Sequence, residues 1–233
     1  MIAGKLLFPT FQSEAVSTDW RDIADSSTSS PGPKSRTQNG KFINHLEDQS
    51  QLLVGSCHSL HEELFSPMPR FSLLASKLAV HCTQSKAIDG ALTQELCHAL
   101  ITPIDCEDLK RLSHVIHKLT ATQLRLAQTF DAAGSSAATY GCLQEAVVHC
   151  ADALDRAVHS LNNSDLPAEC NRLHKNWRLA RTALRQMHVQ QWASEREVRH
   201  RLTEQLLYCE FASELGYIKA SYDTLMRARL KNG

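Results

Sequence analysis

The side chains able to do chemistry in this chain are its histidines, cysteines and carboxylates, and several fall in pairs. His58-Ser-Leu-His61, His114-Val-Ile-His117 and Glu95-Leu-Cys-His98 each set two ligand-type groups on one face of a helix. With 12 histidines in all, a transition-metal site has to be weighed against ordinary histidines at a helix surface. A ferritin-type di-iron centre wants two Glu-x-x-His motifs and a glutamate from each of two further helices, which Glu95 and His98 do not supply by themselves. No His-Glu-x-x-His is present. The eight cysteines (57, 82, 97, 106, 142, 150, 170, 209) include no Cys-x-x-Cys pair and lie mostly inside helical patterns, so they read as small packed thiols. No Gly-x-Ser-x-Gly marks a nucleophile, and no glycine-rich loop leads into a helix to cradle phosphate. The chain is expected not to be an enzyme.

The elements that must position these groups are long amphipathic helices. The spacing predicts helix one from about Phe42 to Phe65, with Phe42, Leu46, Leu53, Cys57, Leu60 and Leu64 on one side, ended by Ser66-Pro-Met-Pro69. Helix two covers about Arg70 to Leu100 and helix three about Asp105 to Phe130, stopping before Gly134. Helix four is about Ala137 to Leu161 and helix five about Pro167 to Gln191. Helix six runs from about Ala193 to Leu230, with Val198, Leu202, Leu206, Cys209 and Leu215 as its stripe. Six long patterns, short links and no alternating strand-like segment predict an all-α, six-helix antiparallel up-and-down bundle in two three-helix halves. Residues 1–41 include Ser26-Ser-Thr-Ser-Ser-Pro-Gly-Pro33 and are expected to be a disordered extension, leaving 42–233 as the bundle domain.

Charge and targeting narrow the function. With 25 basic and 25 acidic residues the formal net charge is 0, which favours neither nucleic acid nor an acidic membrane in bulk. No apolar run is long enough to span a bilayer, and the N-terminus lacks secretory-signal order, so a cytoplasmic location is expected. Basic residues gather late, at Arg172, Lys175, Arg178, Arg181 and Arg185 and again toward the C-terminus. Few aromatics accompany them, so this reads as a solvated basic face, with docking on an acidic partner or anionic headgroups as the other reading.

The link between helices two and three is the most heavily punctuated stretch, Ile101-Thr-Pro-Ile-Asp-Cys-Glu-Asp-Leu109. Thr102 is placed to cap, Pro103 falls where a missing N–H is harmless, and Asp105, Glu107 and Asp108 put negative charge at the positive end of the dipole. The same stretch resembles the signature of PhoU-like helical bundle proteins, in the branch of phosphate transport regulators, with a looser likeness from about Phe42 to the C-terminus.

That resemblance implies Glu-x-x-x-Asp-like pairs from each half, gathering a multinuclear metal cluster. Carried over by position, the pairs fall at Cys82 and Lys86, at His117 and Ala121, at His174 and Arg178, and at Glu210 and Glu214. Only the last keeps two acids. A lysine or arginine in place of a carboxylate repels a cation, so no metal cofactor is expected; Glu210 and Glu214 remain as candidate ligands, with Lys86 or Arg178 as cations to neutralise them. Cys82 and His117 are the first pair to test for a transition metal. The resemblance implies a non-catalytic cytoplasmic accessory or regulatory protein of inorganic phosphate transport. It would act by contact with a phosphate transporter or its regulatory machinery, at the membrane periphery, without nucleic acid, and with homo-oligomerisation open. The alternatives are a helical metal-binding protein using Cys, His and Glu, and a structural adaptor unrelated to phosphate.

Overall fold

The computed structural model describes residues 38–99, 104–133, 140–192 and 198–232, which form six helices and, among the described residues, no strand. These are α1 Gln38–Leu64, α2 Phe71–His98, α3 Cys106–Ala133, α4 Gly141–His159, α5 Leu166–Trp192 and α6 Val198–Asn232. Each corresponds to one predicted pattern, with ends displaced by a few residues, as expected where propensity fades. The expected extension over 1–41 lies outside the described residues apart from the start of α1.

Local signals explain the ends. The α3 helix is capped by Asp105, whose Oδ1 accepts the Glu107 N–H at 2.9 Å, with Glu107 and Asp108 in the first turn. The cap in the structure is therefore Asp105 rather than Thr102, because the helix begins at Cys106; Thr102 and Pro103 lie outside the described residues. Lys231, near the end of α6, reaches across to Asp105 at 2.6 Å and Asp108 at 2.9 Å, tying the last turn of the chain to the start of α3.

Side-chain contacts run in opposite order along four of the five pairs of consecutive helices. On α1 and α2, Gln49 meets Ser85 and Ser56 meets His81; on α2 and α3, Asp89 meets Ser113 and Phe71 meets Phe130. Arg156 meets Glu169 and Asn176 meets the His149 carbonyl on α4 and α5; His174 meets Tyr222 and His188 meets Tyr208 on α5 and α6. The chain thus goes up and down. Packing also pairs α1 with α4, α3 with α6 and α1 with α3, with a lighter contact of α4 on α6. Renumbering each helix of the first half by three reproduces this pattern, so the halves are arranged alike: α1, α3, α4 and α6 form an inner bundle, α2 covers one side and α5 the other.

The inner helices bury a continuous apolar layer that includes Leu46, Leu53, Leu60, Ile116, Leu119, Leu126, Leu154, Leu207 and Phe211. Each such side chain contributes about 1.5–3 kcal/mol by leaving water. A run of rings closes one end, Phe71 on Phe130, Phe130 on Tyr140 and Tyr140 on Phe211, with centroids 5.4, 5.5 and 5.9 Å apart. The expected stripe on α6 needs correction, since Leu202, Leu206 and Cys209 are exposed and the buried face runs through Leu207, Phe211, Leu215 and Ile218. The reason is rotation: at 100° per residue Leu202, Leu206 and Cys209 lie about 100–160° around α6 from Leu207, outside the arc that holds Leu207, Phe211, Glu214 and Ile218.

Candidate functional site

The acidic pair on α6 divides into two environments. Glu214 has no exposure, whereas Glu210, one turn earlier, is half-buried at the edge of the bundle. The Gln123 amide of α3 donates to Glu214 Oε1. Gln144 of α4 in turn donates to Gln123 Oε1 at 2.9 Å and to the Cys57 carbonyl of α1 at 3.2 Å. One polar chain therefore crosses all four inner helices. Glu210 is held by Arg125 of α3, Nε to Oε2 at 2.8 Å, and the same guanidinium also bonds Thr122 Oγ1.

Burial decides the charge of Glu214. Loss of water pushes its carboxyl up to about 8; the Gln123 amide pulls against this, Glu210 adds to it and Arg125 opposes it. At neutral pH the group is a carboxylic acid. Its Oε2 and the Gln144 Oε1 find no hydrogen-bond partner among the described residues, so the neutral acid avoids the larger cost of a buried, half-partnered carboxylate. Burial also raises the thiols of Cys57 and Cys150, and Glu214 adds to both, leaving them inert as nucleophiles. A carboxyl without access to solvent cannot meet a substrate. It can hold a proton and fix the register of four helices.

The other predicted positions fall on two outer faces. On the α2/α3 side, the Asp89–Ser113 and Phe71–Phe130 contacts bring Lys86 level with His117 and Cys82 level with Ala121. Lys86 is exposed, while Cys82 and His117 are half-buried. Burial lowers the His117 pKa; Asp89 opposes that, and Lys118, His114 and Lys86 reinforce it. On the α5/α6 side, His174 stacks on Tyr222 with centroids 4.8 Å apart. Tyr222 is twelve residues beyond Glu210 on α6, about 18 Å along the axis. His174 is therefore not brought to Glu210, and among the described residues Arg178, exposed on α5, makes no ion pair with the buried Glu214 or with the other acid of the pair. Nor do Lys86 or Arg178 supply its cation, since the ion pair of Glu210 is made by Arg125.

The histidine pairs separate in the same way. His58 lies against Asp152 and His114 against Asp89, each at 3.4 Å, while Glu95 faces His45 rather than acting with His98. Among the described residues, no three of His, Cys, Asp and Glu converge as a metal ion requires. With one carboxyl held by an amide and the other by a guanidinium, the donor set does not fit a multinuclear cluster.

Gln123, Gln144, Arg125 and Gln49 escaped the sequence reading, although one signal marks three of them. Gln123 continues the series Leu112, Ile116, Leu119 and precedes Leu126; Gln144 and Gln49 likewise occupy positions of an apolar stripe. A polar residue on an apolar face, with no neighbour in sequence to satisfy it, points to a partner on another helix.

An inner four-helix bundle flanked by α2 and α5, knit by buried amides, defines an all-α protein. No protein-family model matches the chain, and no curated protein matches it in sequence. Among solved structures it is similar to a PhoU-like protein from Shewanella oneidensis MR-1, with a TM-score of 0.64 at 13% identity, over 81% of this chain and 97% of that one. The fold is PhoU-like.

Proposed function

We propose that this protein is a PhoU-like regulator that works by protein–protein contact, without catalysis and without a metal cluster, as an accessory of inorganic phosphate transport. The observation that carries the reading is the likeness over nearly the whole of a PhoU-like protein, combined with the replacement of acids on α2, α3 and α5. Removing the carboxylates removes cation capture while leaving the bundle surface for partners. None of the described helices is long and apolar enough to cross a membrane, which is compatible with an accessory that meets a transporter from a cytoplasmic face. The test is recovery of the tagged full chain from cells grown with scarce and with ample phosphate. Phosphate-permease subunits should co-purify in a phosphate-dependent amount; their absence in both conditions refutes the link to transport. Elemental analysis of the same preparation should give less than about 0.2 equivalents of any transition metal per chain. A stoichiometric metal would favour the metal-binding alternative instead.

A further inference from the structure

The α5 helix has one acidic residue, Glu169 in its first turn, and five basic ones, Arg172, Lys175, Arg178, Arg181 and Arg185, all exposed. Arg172 is neutralised by Glu169 at 3.2 Å. Among the described residues, the other four have no ion pair. The first four follow one another at intervals of three, so they form a single ridge inclined across the helix, about 14 Å long measured along the axis. Beside it Leu179, half exposed, sits one turn beyond Lys175, giving an apolar edge to a positive row.

We propose that this ridge docks an acidic amphipathic helix of a partner protein. At 100° per residue Lys175, Arg178 and Arg185 fall within about 80° of one another, with Leu179 about 40° to the other side of Lys175, so a helix laid on that face would meet these three heads with carboxylates at intervals of three and four residues while its apolar side covers Leu179. Nucleic acid fits less well, since ring faces are already occupied. His174 is stacked on both Trp177 and Tyr222, and the guanidinium of Arg181 lies 5.2 Å over the Trp177 ring. The proposal rests on the protein-contact reading above and does not depend on phosphate.

The test uses the full chain and a synthetic helix-forming peptide with glutamates at positions i, i+3, i+4 and i+7 and leucines on the other side. The comparison is between Lys175→Glu/Arg178→Glu and Lys41→Glu/Lys110→Glu, which changes net charge equally at two exposed sites elsewhere. Both variants should melt like the parent. The parent should bind the peptide, about tenfold more weakly in the ridge variant, with a change of less than about twofold in the control and a loss of affinity as salt rises. Equal weakening in both variants would reduce the effect to net charge and overturn the proposal. So would absence of peptide binding, or tighter binding to phosphatidylcholine–phosphatidylserine vesicles or to a DNA oligonucleotide than to the peptide. Failure here leaves permease co-purification unaffected, so the two readings fail separately.

Discussion

The two outer helices occupy equivalent places and use their polar residues differently. The α2 helix spends them inward: Ser85 takes the Gln49 amide, His81 Nδ1 meets Ser56 Oγ at 3.0 Å, and Asp89 accepts from Ser113 Oγ at 2.8 Å. Its two lysines are balanced by Asp89 and Glu95. The α5 helix is instead fastened by apolar contact through Leu166, Cys170, Leu173, Ala180 and Leu184, with the Trp177 indole N–H donating to the Leu215 carbonyl at 2.9 Å. Its bases face solvent. In a two-fold arrangement, one flank has become part of the scaffold and the other is left as a surface.

The sharpest test of how the halves are joined lies between α3 and α6. The folded state keeps a proton on Glu214 up to about pH 8, while the unfolded chain releases it near the ordinary value of 4.5. Folding stability should therefore fall as pH rises from about 4.5 through about 8 and level off above, a loss of about 4–5 kcal/mol from this group. Glu214→Gln, an isosteric neutral amide, should abolish that slope and leave the variant more stable than the parent at pH 9 in urea titrations. An unchanged slope would place the titrating group elsewhere.

Next in size is the attachment of α5. Trp177→Ala removes a packed ring and the hydrogen bond to Leu215, and should cost about 2–4 kcal/mol in chemical denaturation. A loss of only a few tenths would mean that α5 is held by its aliphatic residues alone.

A smaller effect compares two buried glutamines of similar shape and different partners. Gln123→Met strips the Glu214 carboxyl of its donor and should cost about 2–3 kcal/mol, whereas Gln49→Met leaves a hydroxyl partner and removes an unsatisfied Gln49 Oε1, for a change within about 1 kcal/mol. Equal costs would show that carboxyl and hydroxyl partners are interchangeable here. The smallest effect belongs to Lys231→Ala, which removes an exposed ion pair to Asp105 and a part-buried one to Asp108 from a lysine that is itself half exposed. Its melting temperature should drop slightly at low salt and match the parent at high salt; a drop that persists in salt would indicate packing rather than charge.

The number of helices, their order and their approximate ends followed from apolar spacing and punctuation, because a residue three or four positions from another on a helix shares its face whatever the rest of the chain does. Leu46, Leu53 and Leu60 buried themselves as their spacing required. The exposed basic row on α5 was legible for the same reason, and so was the i, i+4 spacing of Glu210 and Glu214. What the chain order could not decide is which turn of one helix lies level with which turn of another. Arg125 rather than Lys86 or Arg178 stands beside Glu210, His174 stands about 18 Å along α6 from it, and Glu214 turns into the core against an amide. Those outcomes depend on helix lengths, tilt and register across interfaces, where Arg125 and Glu210 lie 85 positions apart in sequence and Gln123 and Glu214 91. Periodicity groups residues on one face of a helix; only packing decides which face is covered, as Leu202 and Leu206 show, and by which neighbour.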